Sequence, residues 1–149
     1  MDHRVNKVSP FREAMKQARL AFKKNEVPIG AVLVQGGKII ARAHNSTEAK
    51  RSHLAHAEIL VIQKAAKVLR SKYLPHCDLY VTLEPCQMCR AAAKLARIRH
   101  IYYAVASPKF GRSGMAYFKT KIKKSKSTEE SESRELLSLF FSLLRMRKS

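Results

Sequence analysis

Ile29-Gly30-Ala31-Val32-Leu33-Val34-Gln35-Gly36-Gly37-Lys38-Ile39-Ile40-Ala41 is two apolar runs joined by a pair of glycines. The first run, Ile29 to Val34, reads as a buried strand, and Gly36-Gly37 turns the chain into a second strand at Ile39-Ile40-Ala41. Upstream, Ser9-Pro10 has the signature of a helix start, with proline at the first helical position. Phe11, Ala14, Met15, Ala18 and Phe22 then recur at helical spacing. Downstream, a polar loop from Asn45 to Ser52 leads to a helix that starts near His56 and runs to about Arg70. Pro75 precedes a strand at Asp78-Leu79-Tyr80-Val81-Thr82. Pro85 precedes a helix from Cys86 to about Arg97, and His100 to Val105 is a further strand. Residues 107–126 read as a basic loop with five lysines between positions 119 and 126. A capping box, Ser127-x-x-Glu130, opens a last helix over 128–146. Leu136, Leu139, Phe140, Leu143 and Leu144 are its expected apolar stripe. A hairpin followed by alternating strands and helices implies one α/β domain over residues 1–149, with a mixed sheet between helical layers.

Composition narrows the function. The chain has 149 residues, 46% hydrophobic, enough to build one core without disulfide staples. It carries 30 Lys+Arg against 11 Asp+Glu, a formal charge of +19. Such a surface suits a polyanion, either nucleic acid or an acidic membrane face. No apolar run reaches bilayer-spanning length; charge alone leaves nucleic acid and a membrane surface open, and the motifs below choose nucleic acid, with no membrane partner expected. The first eight residues lack the apolar stretch of a signal peptide. Three cysteines, two of them as Cys86-x-x-Cys89, form a poor disulfide framework, and the expected compartment is the reducing cytoplasm.

The chemistry lies in Ala55-His56-Ala57-Glu58 and Glu84-Pro85-Cys86-Gln87-Met88-Cys89. Cysteines three apart in the first turn of a helix share a face, and the positive end of the helix dipole favours their thiolates. Two thiolates and an imidazole suit zinc. Glu58 follows His56 by two residues, about 200° round an ideal helix. The pair can therefore serve one site only at a helix entrance, where the sequence places it. Three protein ligands leave a fourth zinc position for water, the pattern of a catalytic rather than a structural ion. Glu58 would carry the proton.

His-x-Glu followed by Pro-Cys-x-x-Cys is the signature of the zinc-dependent nucleobase deaminases. Beyond those motifs, Glu26-Val27-Pro28-Ile29-Gly30-Ala31-Val32, Asn45, Leu79 to Cys86 and Arg97-Ile98 resemble conserved blocks of the bacterial tRNA adenosine deaminases. The likeness covers residues 9–106 and returns at Leu136-Leu137-x-x-Phe140-Phe141. It implies a three-layer α/β/α fold of the cytidine-deaminase type with a central mixed sheet of about five strands. It implies one Zn2+ per subunit on His56, Cys86 and Cys89, and hydrolytic deamination of the wobble adenosine in a tRNA anticodon loop to inosine. Glu58 would shuttle the proton. Asn45 would contact the base, Val27 and Leu83 would wall the pocket, and the Ala57 backbone would face the substrate. The resemblance also implies a homodimer.

The sequence departs from that family at two motif positions, and also in residues 112–134, shorter than usual and lysine-rich, and in Ser142-Leu143-Leu144, which separates Phe140-Phe141 from Arg145-Met146-Arg147. Ser52-His53-Leu54 stands where Asp-Pro-Thr is usual. Ser107 stands where an aspartate opens the loop after the fourth strand, here Ser107-Pro108-Lys109-Phe110-Gly111. Ser107, Lys109, Lys119, Lys121 and Lys123 are the expected RNA contacts of this basic region. Arg90, Lys94 and Arg97 either track phosphates or form a solvated helix face. Two other readings remain open: a free guanine or cytosine deaminase with the same centre, and an idle RNA-binding module with structural zinc. The latter would need Cys77, His53 or His76 as a fourth ligand.

Overall fold

Gly36 and Gly37 both take positive φ, 59° and 77°, the conformation a two-residue hairpin needs at both turn positions. They fold β1 (Gly30–Gln35) onto β2 (Lys38–His44) in a computed structural model that describes residues 9–107, 121–124 and 128–147. β1 also pairs antiparallel with β3 (Cys77–Leu83), from Ala31 opposite Val81 to Gln35 opposite Cys77. β3 then runs parallel to β4 (His100–Val105), and β4 parallel to β5 (Lys121–Lys124). The result is a five-stranded mixed sheet in the order β2-β1-β3-β4-β5.

Alternation along β1 assigns the layers. Ala31 and Leu33 point into a core shared with Leu79 and Val81 of β3, with Ala57, Val61 and Ala65 of α2 (Ala57–Leu69) and with Ala93 of α3 (Gln87–Leu95). Val32 and Val34 point to the opposite face, where Ala14 of α1 (Pro10–Lys23) meets them. α4 (Glu129–Arg147) packs beside α1 on that second face. Three layers, α/β/α, follow.

Gly30 explains how closely α1 approaches. A Cβ at this position would lie 1.9 Å from the Ala14 carbonyl oxygen and 2.6 Å from the Ala18 nitrogen. Pro10 opens α1 as expected, but the Ser9 side chain makes no capping hydrogen bond.

Two expectations need correction. The stretch 107–126 is not loop throughout, because Lys121–Lys124 forms an edge strand. Lysines are common on sheet edges, where their charge blocks pairing with another chain. The expected stripe of α4 is also rotated. Leu139 and Leu143 are 48% and 39% exposed, while Ser133 is buried and its hydroxyl donates to the Thr82 carbonyl at 3.3 Å. An Arg19–Glu132 ion pair fixes the same rotation, leaving Leu136, Phe140 and Leu144 half-buried. Ser127 of the capping box lies outside the described residues.

Candidate metal centre and active site

His56 is the N-cap of α2, with extended backbone (φ −71°, ψ 149°), and Glu58 is the second residue of the helix itself. Cys86 is the N-cap of α3, and Cys89 lies in that helix's first turn. The two helix entrances meet. Cys86 Sγ and Cys89 Sγ lie 3.6 and 3.4 Å from His56 Nδ1, and the three candidate ligand atoms all fall within 4.8 Å of one another. Among the described residues no other His, Cys, Asp or Glu joins this group. Cys77 is elsewhere, fully buried, its thiol directed to Gln35 Oε1 at 3.4 Å. That removes Cys77 as a fourth ligand.

Without an ion the three groups share protons among themselves, and only Cys86 is shifted toward its ligating form. The Cys89 thiol donates to Cys86, and with His56 beside it this lowers the Cys86 pKa to about 4. The same contact, with burial, pushes Cys89 well above the ordinary thiol range. The Cys86 thiolate in turn raises His56. Burial raises Glu58, and its Oε1 is a buried oxygen with no hydrogen-bond partner. Two sulfurs and an imidazole at one point fit a borderline-soft divalent ion, and the orphaned oxygen fits a proton-bearing group beside it.

The surrounding residues hold this geometry. Glu84 accepts the Ser107 N–H at 3.0 Å and pairs with Arg90 at 2.5 Å, while Arg90 Nε donates to the Pro85 carbonyl at 3.0 Å. The segment leading to Cys86 is thus clamped to the end of β4. Arg90 is therefore spent inside the protein, and the guanidinium of Arg97 lies 4.2 Å over the Tyr73 ring. Of the two readings left open for Arg90, Lys94 and Arg97, phosphate tracking or a solvated helix face, neither describes Arg90, which is held by Glu84 and Pro85. Glu26, buried, accepts the N–H groups of Glu48 and Ala49 at 2.8 and 2.9 Å. It braces the loop that begins at Asn45. Neither clamp was legible as such, although Glu26 and Glu84 sit inside the motif blocks as two of only 11 acids.

Asn45 is buried, with its N–H on the Ile29 carbonyl at 3.0 Å. Ala57 is buried in the first turn of α2, and Leu83 ends β3. Val27 walls a cavity of about 500 Å³ together with Lys24, Phe140 and Phe141. Ser107 is buried and Lys123 exposed; Lys121 is a β5 residue, whereas Lys109 and Lys119 lie outside the described residues.

A glutamate two residues past a histidine ligand, facing two cysteine ligands across two helix entrances, is the design of the zinc-dependent deaminases. The MafB19-like deaminase family model matches residues 5–145. A tRNA-specific adenosine deaminase of Agrobacterium fabrum is 47% identical over 135 residues, 86% of this chain and 89% of its own. A solved tRNA:A34 deaminase superposes with a TM-score of 0.79 at 44% identity, covering 86% of this chain and 98% of that one. A guanine deaminase of Nitrosomonas europaea superposes at 0.76, but with 20% identity it speaks for the fold alone, over 88% of this chain and 82% of that one. The chain belongs to the MafB19-like deaminases and, within them, to the family of tRNA-specific adenosine deaminases.

Proposed function

We propose that the chain converts the wobble adenosine of a tRNA anticodon loop to inosine, consuming water and releasing ammonia. The unpartnered Glu58 Oε1, buried beside three candidate metal ligands, carries the chemistry, and the likeness to tRNA-specific adenosine deaminases supports the tRNA substrate over a free base. His56, Cys86 and Cys89 would hold one Zn2+ per subunit, which supplies a water acidified to a pKa of about 7. Glu58 takes the water proton, returns it to the ring nitrogen and assists the departing amine. Burial raises its pKa above the ordinary carboxylate range, which suits a group that takes a proton and gives it back. Asn45 holds the base edge, Ala57 offers its backbone N–H, and Val27 and Leu83 exclude solvent from the ring. Ser107, Lys109, Lys119, Lys121 and Lys123 meet the RNA beyond the base, in keeping with the +19 charge.

A homodimer completes the reading. Ile59, Ile62, Tyr73 and Leu95 line an open apolar depression between α2 and α3, and Leu95 is 79% exposed. A second copy of the chain would cover it. No helix among the described residues is long and apolar enough to cross a membrane. The cytoplasm, where tRNA and reduced thiols coexist, is the compartment this reading requires.

The test is to incubate the purified, zinc-loaded chain with an anticodon stem-loop bearing a wobble adenosine, and separately with free guanine and free cytosine. Inosine at the wobble position, formed more slowly as salt is added, is the expected result. Turnover of the free bases alone would overturn the reading in favour of a free-base deaminase.

A further inference from the structure

We infer that Lys24, Lys50, Lys64 and Lys67 form a phosphodiester-binding cavity, at the β2 edge of the sheet rather than the β5 edge, that holds the substrate strand next to the reacting nucleotide. The inference rests on the nucleic-acid reading above. The four lysines surround a cavity of about 470 Å³ between the end of β2, the turn after Ser46 and the outer face of α2. Among the described residues, no acidic side chain lines it, and none of the four pairs with a carboxylate. Gathering four ammonium groups around one concavity is repulsive, and an anion relieves that repulsion.

Two of the four are aimed rather than free to wander. Lys64 Nζ donates to the Arg42 carbonyl at 2.8 Å. Lys24 Nζ lies 3.1 Å from His44 Nε2, and His44 Nδ1 lies 2.9 Å from the Asn45 carbonyl. A proton on Nδ1 satisfies both contacts: the ring donates to Asn45 and accepts from Lys24. The cavity is thereby tied, through one imidazole, to the residue proposed to hold the base.

Continuity supplies the direction. Lys24 also borders the cavity walled by Val27, Phe140 and Phe141, where Phe141 is 42% exposed. A strand leaving the pocket meets an aromatic surface and then cations, the pairing that suits the bases and backbone of a single-stranded nucleic acid. Lys64 lies about 10 Å along the α2 axis from Ala57 at 1.5 Å per residue. That keeps the cavity close to the reacting nucleotide.

The experiment measures binding of the full chain to the same stem-loop RNA across a salt series. The variant is Lys50→Gln/Lys64→Gln/Lys67→Gln, and the control is Arg12→Gln/Lys16→Gln/Lys38→Gln, which removes equal charge elsewhere. The cavity variant should bind about tenfold more weakly at low salt. Its slope of log K against log salt should fall by about 0.7 for each phosphate that is no longer neutralised. Arginine at the same three positions should restore the slope. If the cavity variant and the control behave alike, the cavity holds no phosphodiester. Deamination of the stem-loop by the unaltered chain is scored in parallel. Deamination with an unchanged slope overturns the cavity and spares the functional reading; lysine-dependent binding without deamination does the reverse.

Discussion

Glu58 is a buried carboxyl whose Oε1 meets no hydrogen-bond donor of the described protein residues. Leaving such a group with no partner at all costs on the order of 1–3 kcal/mol, so the oxygen calls for a partner from the reacting centre. Glu58→Ala should retain metal, measured as zinc per chain, because the three ligand atoms lie on His56, Cys86 and Cys89. Deamination should fall by about 10²–10⁴-fold, the usual contribution of a positioned acid or base. Survival of activity would remove Glu58 from the chemistry. These four residues were legible in the sequence because their spacing is local: each pair needs only one helix entrance. Arg90 was not legible as a clamp. Its partner, Glu84, lies six residues away across a proline, and only the folded turn brings the two together.

At the scale of the elements, the contact between α1 and β1 depends on the missing side chain of Gly30. The obstructing atoms are a helix carbonyl, a helix nitrogen and the Gln17 Cβ, so no rotamer change makes room. Gly30→Ala should therefore destabilise the chain by about 3 kcal/mol, at the upper end of ordinary overpacking. A lower urea midpoint at unchanged slope is the expected signature; an unshifted midpoint would mean that α1 can slide away freely. The hairpin, α2, α3 and β4 were readable because propensity, turn residues and apolar pattern agreed. β5 was not, since Lys121–Lys124 has no apolar periodicity and becomes a strand only by pairing with β4. The rotation of α4 was hidden for a similar reason. Two overlapping stripes fit its sequence, and distant partners, Thr82 and Arg19, choose between them.

For the whole molecule, the proposed dimer makes a direct prediction. Leu95→Glu places a charge in the depression between α2 and α3 and should weaken self-association on the order of tenfold or more, read by sedimentation across a dilution series. Identical sedimentation of the variant and the unaltered chain would take α3 out of the interface. The sheet has a second consequence at this scale. β1 is antiparallel to β3, with Gln35 beside Cys77, so the Gly36-Gly37 turn lies at the opposite end from Leu83 and Glu84. Added atoms at either glycine meet nothing within 4 Å. The protein therefore has a reactive pole and an indifferent one, about 20 Å apart at the rise of a seven-residue strand. A fluorophore or immobilising tag grafted at the hairpin tip would report on the molecule while leaving its chemistry untouched.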